Sequence, residues 1–295
     1  MKKPSTIVLR TYNKGISEYK KYLMDCNIDF KVKTTTNSCS IDYVDLDGKK
    51  KVMFCDGLYL SIKEMILQKK LKKHIKQRNN GKKVNYQNQK INYWRFDNSL
   101  HSMVESSGEC VEFHNILEMD ITKAYYKMAR NLDYISEEIY QICLKLPKHI
   151  RLRLIGSIAT HKVIETYENK EIKNIQIIEN EELRQIWFHI CYEVGVVMQE
   201  CADAIQDYFI FYWVDGIYFQ RDKRFLSKND PSQQIIKNIF QKNNLDFSVS
   251  KLNKISLQNY NDHLTLKCYK ENKVKSHFSV PYNKVKMYVD DKVFV

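Results

Sequence analysis

Apolar residues recur along this chain at two different periods, and the switch between them marks out its elements. The runs at 113–121 (FHNILEMDI) and 208–219 (YFIFYWVDGIYF) are short, aromatic and β-branched, as buried strands are. Val214-Asp215-Gly216 interrupts the second run, which reads as strand, turn and strand. Between the two runs, Leu183, Ile186, Trp187, Ile190, Val194, Val197, Met198, Cys201 and Ile205 fall on one helical stripe. That stripe predicts a long helix over 181–207 packed into a core. Further helices are predicted over 16–24, 58–77, 135–146, 148–165 and 231–243, with Pro147 breaking the third from the fourth. Strands are predicted over 6–11, 28–32, 41–46, 51–54, 247–255 and 264–269. Asp47-Gly48 is a hairpin signal, so the chain should open with a β-α-β-β-β unit ending near Gly57.

Two of the apolar runs end in a carboxylate, Asp120 and Asp215. Such a residue is costly in an apolar setting unless something pairs with it. Two carboxylates side by side repel each other and attract divalent metal. Paired metal ions about 3.5–4 Å apart are a standard device for phosphoryl and nucleotidyl transfer.

Asp120-Ile121-Thr122-Lys123-Ala124-Tyr125-Tyr126 resembles motif A of family B DNA polymerases, D-x-x-S-L-Y-P, at the Asp and at the sixth-position Tyr. Phe211-Tyr212-Trp213-Val214-Asp215-Gly216 resembles motif C, Y-x-D-T-D-S, with Asp215 at its second Asp and Trp213 replacing the first. Arg151-Leu152-Arg153-Leu154-Ile155-Gly156-Ser157 stands where motif B, K-x-x-x-N-S-x-Y-G, is expected, and Lys267-Cys268-Tyr269 resembles the K-x-Y element. The resemblance runs from Gly108 to the C-terminus. It implies an α+β fold: a polymerase palm with an antiparallel sheet and helices on one face, short helical fingers, a minimal thumb and a small N-terminal α+β domain. The implied boundaries are 1–63 for that unit, 64–107 for a basic helix and linker, and 108–130 with 158–250 for the palm. Fingers would occupy 131–157, and the K-x-Y region and thumb 251–295. Asp120 and Asp215 would hold two Mg²⁺ (Mn²⁺ being the alternative), helped by the Ile121 carbonyl. Tyr125 would lie under the incoming sugar and select deoxynucleotides. Arg151 or Arg153 would grip the triphosphate beside Ser157, while Lys267 and Tyr269 would hold the primer. The acidic residue that Trp213 replaces is not the essential metal ligand in the family.

Composition adds a partner. The 48 Lys and Arg exceed the 35 Asp and Glu, and the resulting charge of +13 suits a polyanion. Lys69, Lys70, Lys72, Lys73 and Lys76 crowd the predicted helix over 58–77, with Tyr86, Tyr93 and Trp94 following. Such a run is either a solvated face or a phosphate-contacting patch with aromatic rings for stacking; a polymerase downstream favours the second. The eight cysteines form no C-x-x-C pair, which argues against a zinc site and for buried thiols in a reducing compartment. Met1-Lys2-Lys3-Pro4 leads into no long apolar segment, so neither a signal peptide nor a membrane span is expected. Asp45 and Asp47 with 92–97 resemble parts of a proofreading exonuclease, but a hairpin turn accounts for the two acids more simply.

The expected activity is template-directed DNA synthesis in the cytoplasm, the host's if the source is a virus or phage. The expected partners are a DNA primer-template, dNTPs and a priming or other replication protein. Two alternatives stay open: a primase or RNA-synthesising palm, and a catalytically degenerate palm that binds nucleic acid or initiates replication. A rolling-circle nuclease is disfavoured because no His-x-His pair occurs among the eight histidines.

Overall fold

The computed structural model describes residues 7–11, 15–35, 38–55, 62–82, 86, 91–97, 99–100, 103, 110–159, 161–221, 230–261 and 263–281. In chain order its elements are β1 (Ile7–Thr11), α1 (Gly15–Asp25), β2 (Phe30–Thr35), β3 (Ser38–Val44), β4 (Lys50–Cys55), α2 (Ile62–Asn79), β5 (Trp94–Phe96) and β6 (Val111–Ile121). There follow α3 (Ala124–Asn131), α4 (Glu137–Leu144), α5 (Lys148–Gly156), β7 (Lys162–Glu168), β8 (Glu171–Ile178), α6 (Glu181–Ala204), β9 (Phe209–Trp213) and β10 (Gly216–Gln220). The chain continues through α7 (Pro231–Lys242), β11 (Phe247–Tyr260), β12 (His263–Lys270) and β13 (Lys273–Pro281). No helix among the described residues is long and apolar enough to cross a membrane. The chain forms two compact units, Met1–Val84 with Tyr134–Trp187, and Asn85–Asp133 with Phe188–Val295.

The first unit holds a six-stranded sheet in the order β1-β4-β3-β2-β7-β8, antiparallel except for the β1–β4 pair. Leu23 of α1 is buried with Phe30, Val32, Ile41, Tyr43, Met53 and Tyr167 of that sheet. Asp45 serves the β3–β4 turn: its carboxylate accepts from the Asp47 and Lys49 amides and pairs with Lys51. Two expectations need correction here. The apolar pattern predicts a helix over 148–165, but α5 stops at Gly156, a single 3₁₀ turn follows, and residues 162–178 form a hairpin. Val163, Ile164, Thr166 and Tyr167 favour a strand, and Asn169 and Lys170 both take the positive φ of a type I′ turn. Residues 158–187, assigned to the palm by the resemblance, therefore include two strands of the amino-terminal sheet, where β7 pairs with β2.

The second unit holds a seven-stranded antiparallel sheet in the order β13-β12-β11-β6-β10-β9-β5. One row across it, Met119, Ile217, Tyr212 and Arg95, faces α6: the Tyr212 hydroxyl donates to Gln199 and Arg95 pairs with Asp203. Successive strand residues point to opposite faces. Glu118, Asp120, Gly216, Tyr218, Phe211 and Trp213 therefore lie on the face away from α6. In a flat sheet β13 would stand three strands, about 14 Å, from β6. Instead Lys275 of β13 is ion-paired with Glu118, and the Phe278 ring lies 5.1 Å from Trp213, 5.5 Å from Phe211 and 5.9 Å from Tyr218. The sheet thus curls until its last hairpin covers the apolar part of its own face, burying Leu264, Leu266 and Cys268. Residues 270–281, expected as part of a minimal thumb, supply that covering strand.

Candidate active site

Strand pairing brings the ends of the two carboxylate-bearing runs together. β6 lies beside β10 with Asp120 opposite Gly216, and the Ile121 amide donates to the Asp215 carbonyl at 2.9 Å. A Cβ added at Gly216 would stand 3.3 Å from Asp120 Oδ1, so the Asp120 carboxylate occupies the space a side chain at 216 would take. Both aspartates are half-buried. After Ile121 the chain reverses through Lys123, which has φ 58° and precedes α3. The reversal is tied to β11: the Thr122 amide donates to the Asp246 carbonyl at 2.7 Å, and the buried Lys127 ammonium pairs with the Asp246 carboxylate at 3.0 Å.

The turn that carries Asp215 is strained. Val214 has φ 57°, at a hairpin position where glycine is the norm. For a β-branched residue this conformation costs about 1–2 kcal/mol. An external partner holds it: the Val214 amide donates to the Tyr93 carbonyl at 2.6 Å. The Tyr93 residue is 41% exposed, yet its hydroxyl end is turned inward onto the Cys191 thiol of α6. Burial raises the Tyr93 phenol well above its ordinary value and pushes the Cys191 thiol up to about 12, against the pull of the Tyr93 hydrogen bond. Tyr125, the second residue of α3, belongs to the same neighbourhood. Burial raises its phenol strongly, and Cys191, Asp215 and Tyr93 add to the shift in that order.

On the face away from α6, Tyr218 donates its hydroxyl to Glu118 at 3.0 Å, and Glu118 meets Lys275. Glu118 stands two residues before Asp120, on the same face of β6. Trp213 also points to this face and packs against Phe278.

The remaining predicted residues are placed as follows. Arg151, Arg153 and Ser157 belong to the first unit. The Arg151 guanidinium donates to the Leu144 and Leu146 carbonyls, satisfying orphaned acceptors at the end of α4. Ser157 is buried and gives its hydroxyl to the Leu154 carbonyl at 2.7 Å. Ser157 closes α5 in a helical conformation, φ −66° and ψ −17°, with its amide on the Arg153 carbonyl, so Arg153 and Ser157 stand one turn apart on the same face. Lys267 and Tyr269 alternate with the buried Leu266 and Cys268 of β12, and Lys254 stands 5.1 Å from the Tyr269 ring. On α2, Lys69, Lys70 and Lys73 are exposed; Lys72 is half-buried with its pKa lowered by desolvation, and Lys76 faces Glu182 at 3.7 Å. Tyr86 stacks on His189 at 4.2 Å.

Sequence reasoning missed Tyr93, Cys191, Glu118 and Lys275 as parts of this neighbourhood. The one usable signal was the β-rich run Tyr93-Trp94-Arg95-Phe96 preceding the first carboxylate strand. Among the described residues no three His, Cys, Asp or Glu side chains form a metal-binding group. No family model matches the chain, and no curated protein matches it.

Proposed function

We propose that this protein is a template-directed nucleotidyltransferase, a compact DNA polymerase of the family B type. The observation that carries the reading is the junction of β6 with the β9–β10 turn: Asp120 opposite Gly216, with the Ile121 amide on the Asp215 carbonyl. Those residues fit Mg²⁺ as a donor set. Two carboxylates and the Ile121 carbonyl are hard oxygen donors, and Mg²⁺ takes only one or two carboxylates from protein, completing its shell with water and phosphate oxygens. Two such ions, when bound, activate the attacking 3′-hydroxyl and neutralise charge on the α-phosphate and leaving pyrophosphate.

The chain's own residues would do the rest. Asp120 and Asp215 supply the negative charge. Tyr125 bounds the sugar position from the start of α3, with its hydroxyl within electrostatic reach of Asp215. Lys267 with Tyr269 would hold the primer strand. Lysines of α2 would contact phosphate. On this reading the protein would work in the cytoplasm, on a primer-template and dNTPs, with a priming or other replication protein.

A second reading is a palm that has kept nucleic-acid binding without catalysis. Trp213 favours it, because an indole packed on Phe278 stands where the family carries a carboxylate. Primer extension decides between the two. Incorporation that requires Mg²⁺ and vanishes in Asp215→Ala is the expected result; DNA binding with no incorporation under Mg²⁺ or Mn²⁺ would leave only the second. Comparing dNTPs with NTPs separates a DNA polymerase from a primase.

A further inference from the structure

We infer that Gly195, in the interior of α6, is a positioning residue for Asp215 and acts through the backbone of Asn92 and Tyr93. A Cβ at position 195 would lie 3.0 Å from the Asn92 carbonyl oxygen, 3.6 Å from its nitrogen and 3.7 Å from its carbonyl carbon. All three are backbone atoms, so no side chain can swing aside to make room. Glycine weakens a helix interior; what it supplies here is direct contact between α6 and the segment 91–97.

That segment is then fixed at three successive points. Asn92 rests on Gly195. Tyr93 bonds Cys191 through its hydroxyl and Val214 through its carbonyl. Trp94 pairs with Trp213 at the start of the β5–β9 ladder. Cys191 and Gly195 are four residues apart and so share one face of α6.

The β9–β10 turn depends on this clamp because of its strain. A β-branched residue at φ 57° persists only where its surroundings over-determine the conformation. The Tyr93 carbonyl holds the amide of that same residue. Lifting Asn92 off α6 withdraws the carbonyl, lets Val214 relax, and moves the adjacent Asp215. The consequence for chemistry rests on the nucleotidyl-transfer reading; the clamp itself does not.

Amide hydrogen exchange tests the clamp without any assay of activity. The reporters are Val214, which donates to Tyr93, and Ile121, which donates to the Asp215 carbonyl, with Leu266 of β12 as reference. Gly195→Ala should speed exchange at both reporters by at least about tenfold and leave the reference unchanged. Adding Val214→Gly should restore protection at Ile121, because glycine holds a positive φ without help. Tyr93→Phe removes only the bond to Cys191 and should speed Val214 severalfold, which keeps the question decidable if Gly195→Ala does not fold. Unchanged reporters in Gly195→Ala, failure of Val214→Gly to restore Ile121, or an unchanged Val214 in Tyr93→Phe would each overturn the inference. In primer extension, activity lost in Gly195→Ala should return in the double variant. An inactive wild type with the expected exchange pattern would remove the polymerase reading and leave the clamp standing.

Discussion

Asp215 bonds the neighbouring strand through its carbonyl, while the proposed metal role would fall to its carboxylate, so backbone and side chain can be separated by mutation. Asp215→Ala keeps the carbonyl bond to Ile121; Mg²⁺-dependent incorporation should disappear while the unfolding midpoint in urea stays close to wild type. Gly216→Ala tests geometry instead of charge. Its Cβ would meet Asp120 Oδ1 at 3.3 Å and the Tyr218 ring at 3.5 Å, so the carboxylate must give way by a few tenths of an ångström. Misplacement by about 1 Å at a reacting centre can cost about a hundredfold, and a rate loss of about tenfold is the expectation for this smaller shift. Unchanged turnover in Gly216→Ala would mean that Asp120 is not held where the chemistry needs it. Tyr125 is a third test. If its ring excludes a 2′-hydroxyl at a cost of about 3–4 kcal/mol, Tyr125→Ala should raise NTP use relative to dNTPs by about a hundredfold or more. A purely structural ring predicts lower stability with an unchanged dNTP-to-NTP ratio. The two aspartates were legible because each ends an apolar run. Gly216 was not, because its meaning comes from strand register, which pairs it with a residue far away in sequence.

At the scale of elements, legibility followed how local the deciding force was. The stripe on α6, the β9–β10 hairpin and the Asp47-Gly48 turn are set by periodicity and turn chemistry within a few residues. The stretch 148–165 misleads because its apolar residues suit either period until Asn169 and Lys170 close a hairpin that adds β7 to β2. The α2–α4 junction was equally invisible. His74 of α2 accepts a hydrogen bond through Nε2 from the Ser136 amide at 3.1 Å, and Ser136 is the N-cap of α4. The ring must be unprotonated at that nitrogen to accept. Desolvation first, then Arg78, holds its pKa below the ordinary 6.5, with Glu138 opposing. The unfolded chain therefore binds the proton more readily, and stability rises with pH. The contribution is fully present above about 6.5 and is lost as the pH falls through the lower folded-state pKa. Urea unfolding at pH 8 and pH 5 should show a larger acid loss for wild type than for His74→Ala; equal losses would show that the junction does not sense His74 protonation.

For the molecule as a whole, the curl of the second sheet was the least legible feature, since it depends on Phe278 and Lys275 reaching strands that stand far from β13 in sheet order. Net charge is legible at once, but where it acts is not. The excess of +13 predicts sequence-independent affinity for nucleic acid that weakens with salt. Lys69, Lys70, Lys72, Lys73 and Lys76 of α2 look equivalent in sequence, and the helix sorts them. Leu71 and Ile75 are buried, and Lys69, Lys70 and Lys73 are exposed. Lys72 is half-buried with a depressed pKa, and Lys76 stands within ion-pair distance of Glu182. Each phosphate neutralised contributes about 0.9 to the slope of log K against log salt on duplex DNA, and about 0.7 on a single strand. If three lysines carry the contact, replacing Lys69, Lys70 and Lys73 by Gln should lower the slope by about 2.7 on duplex and about 2 on single strands. Lys72→Gln alone should leave it nearly unchanged. Fluorescence anisotropy across a salt series measures all three proteins against the same labelled DNA. A triple variant with the wild-type slope would show that this helix presents an ordinary solvated face, and that the charge which binds nucleic acid lies elsewhere on the chain.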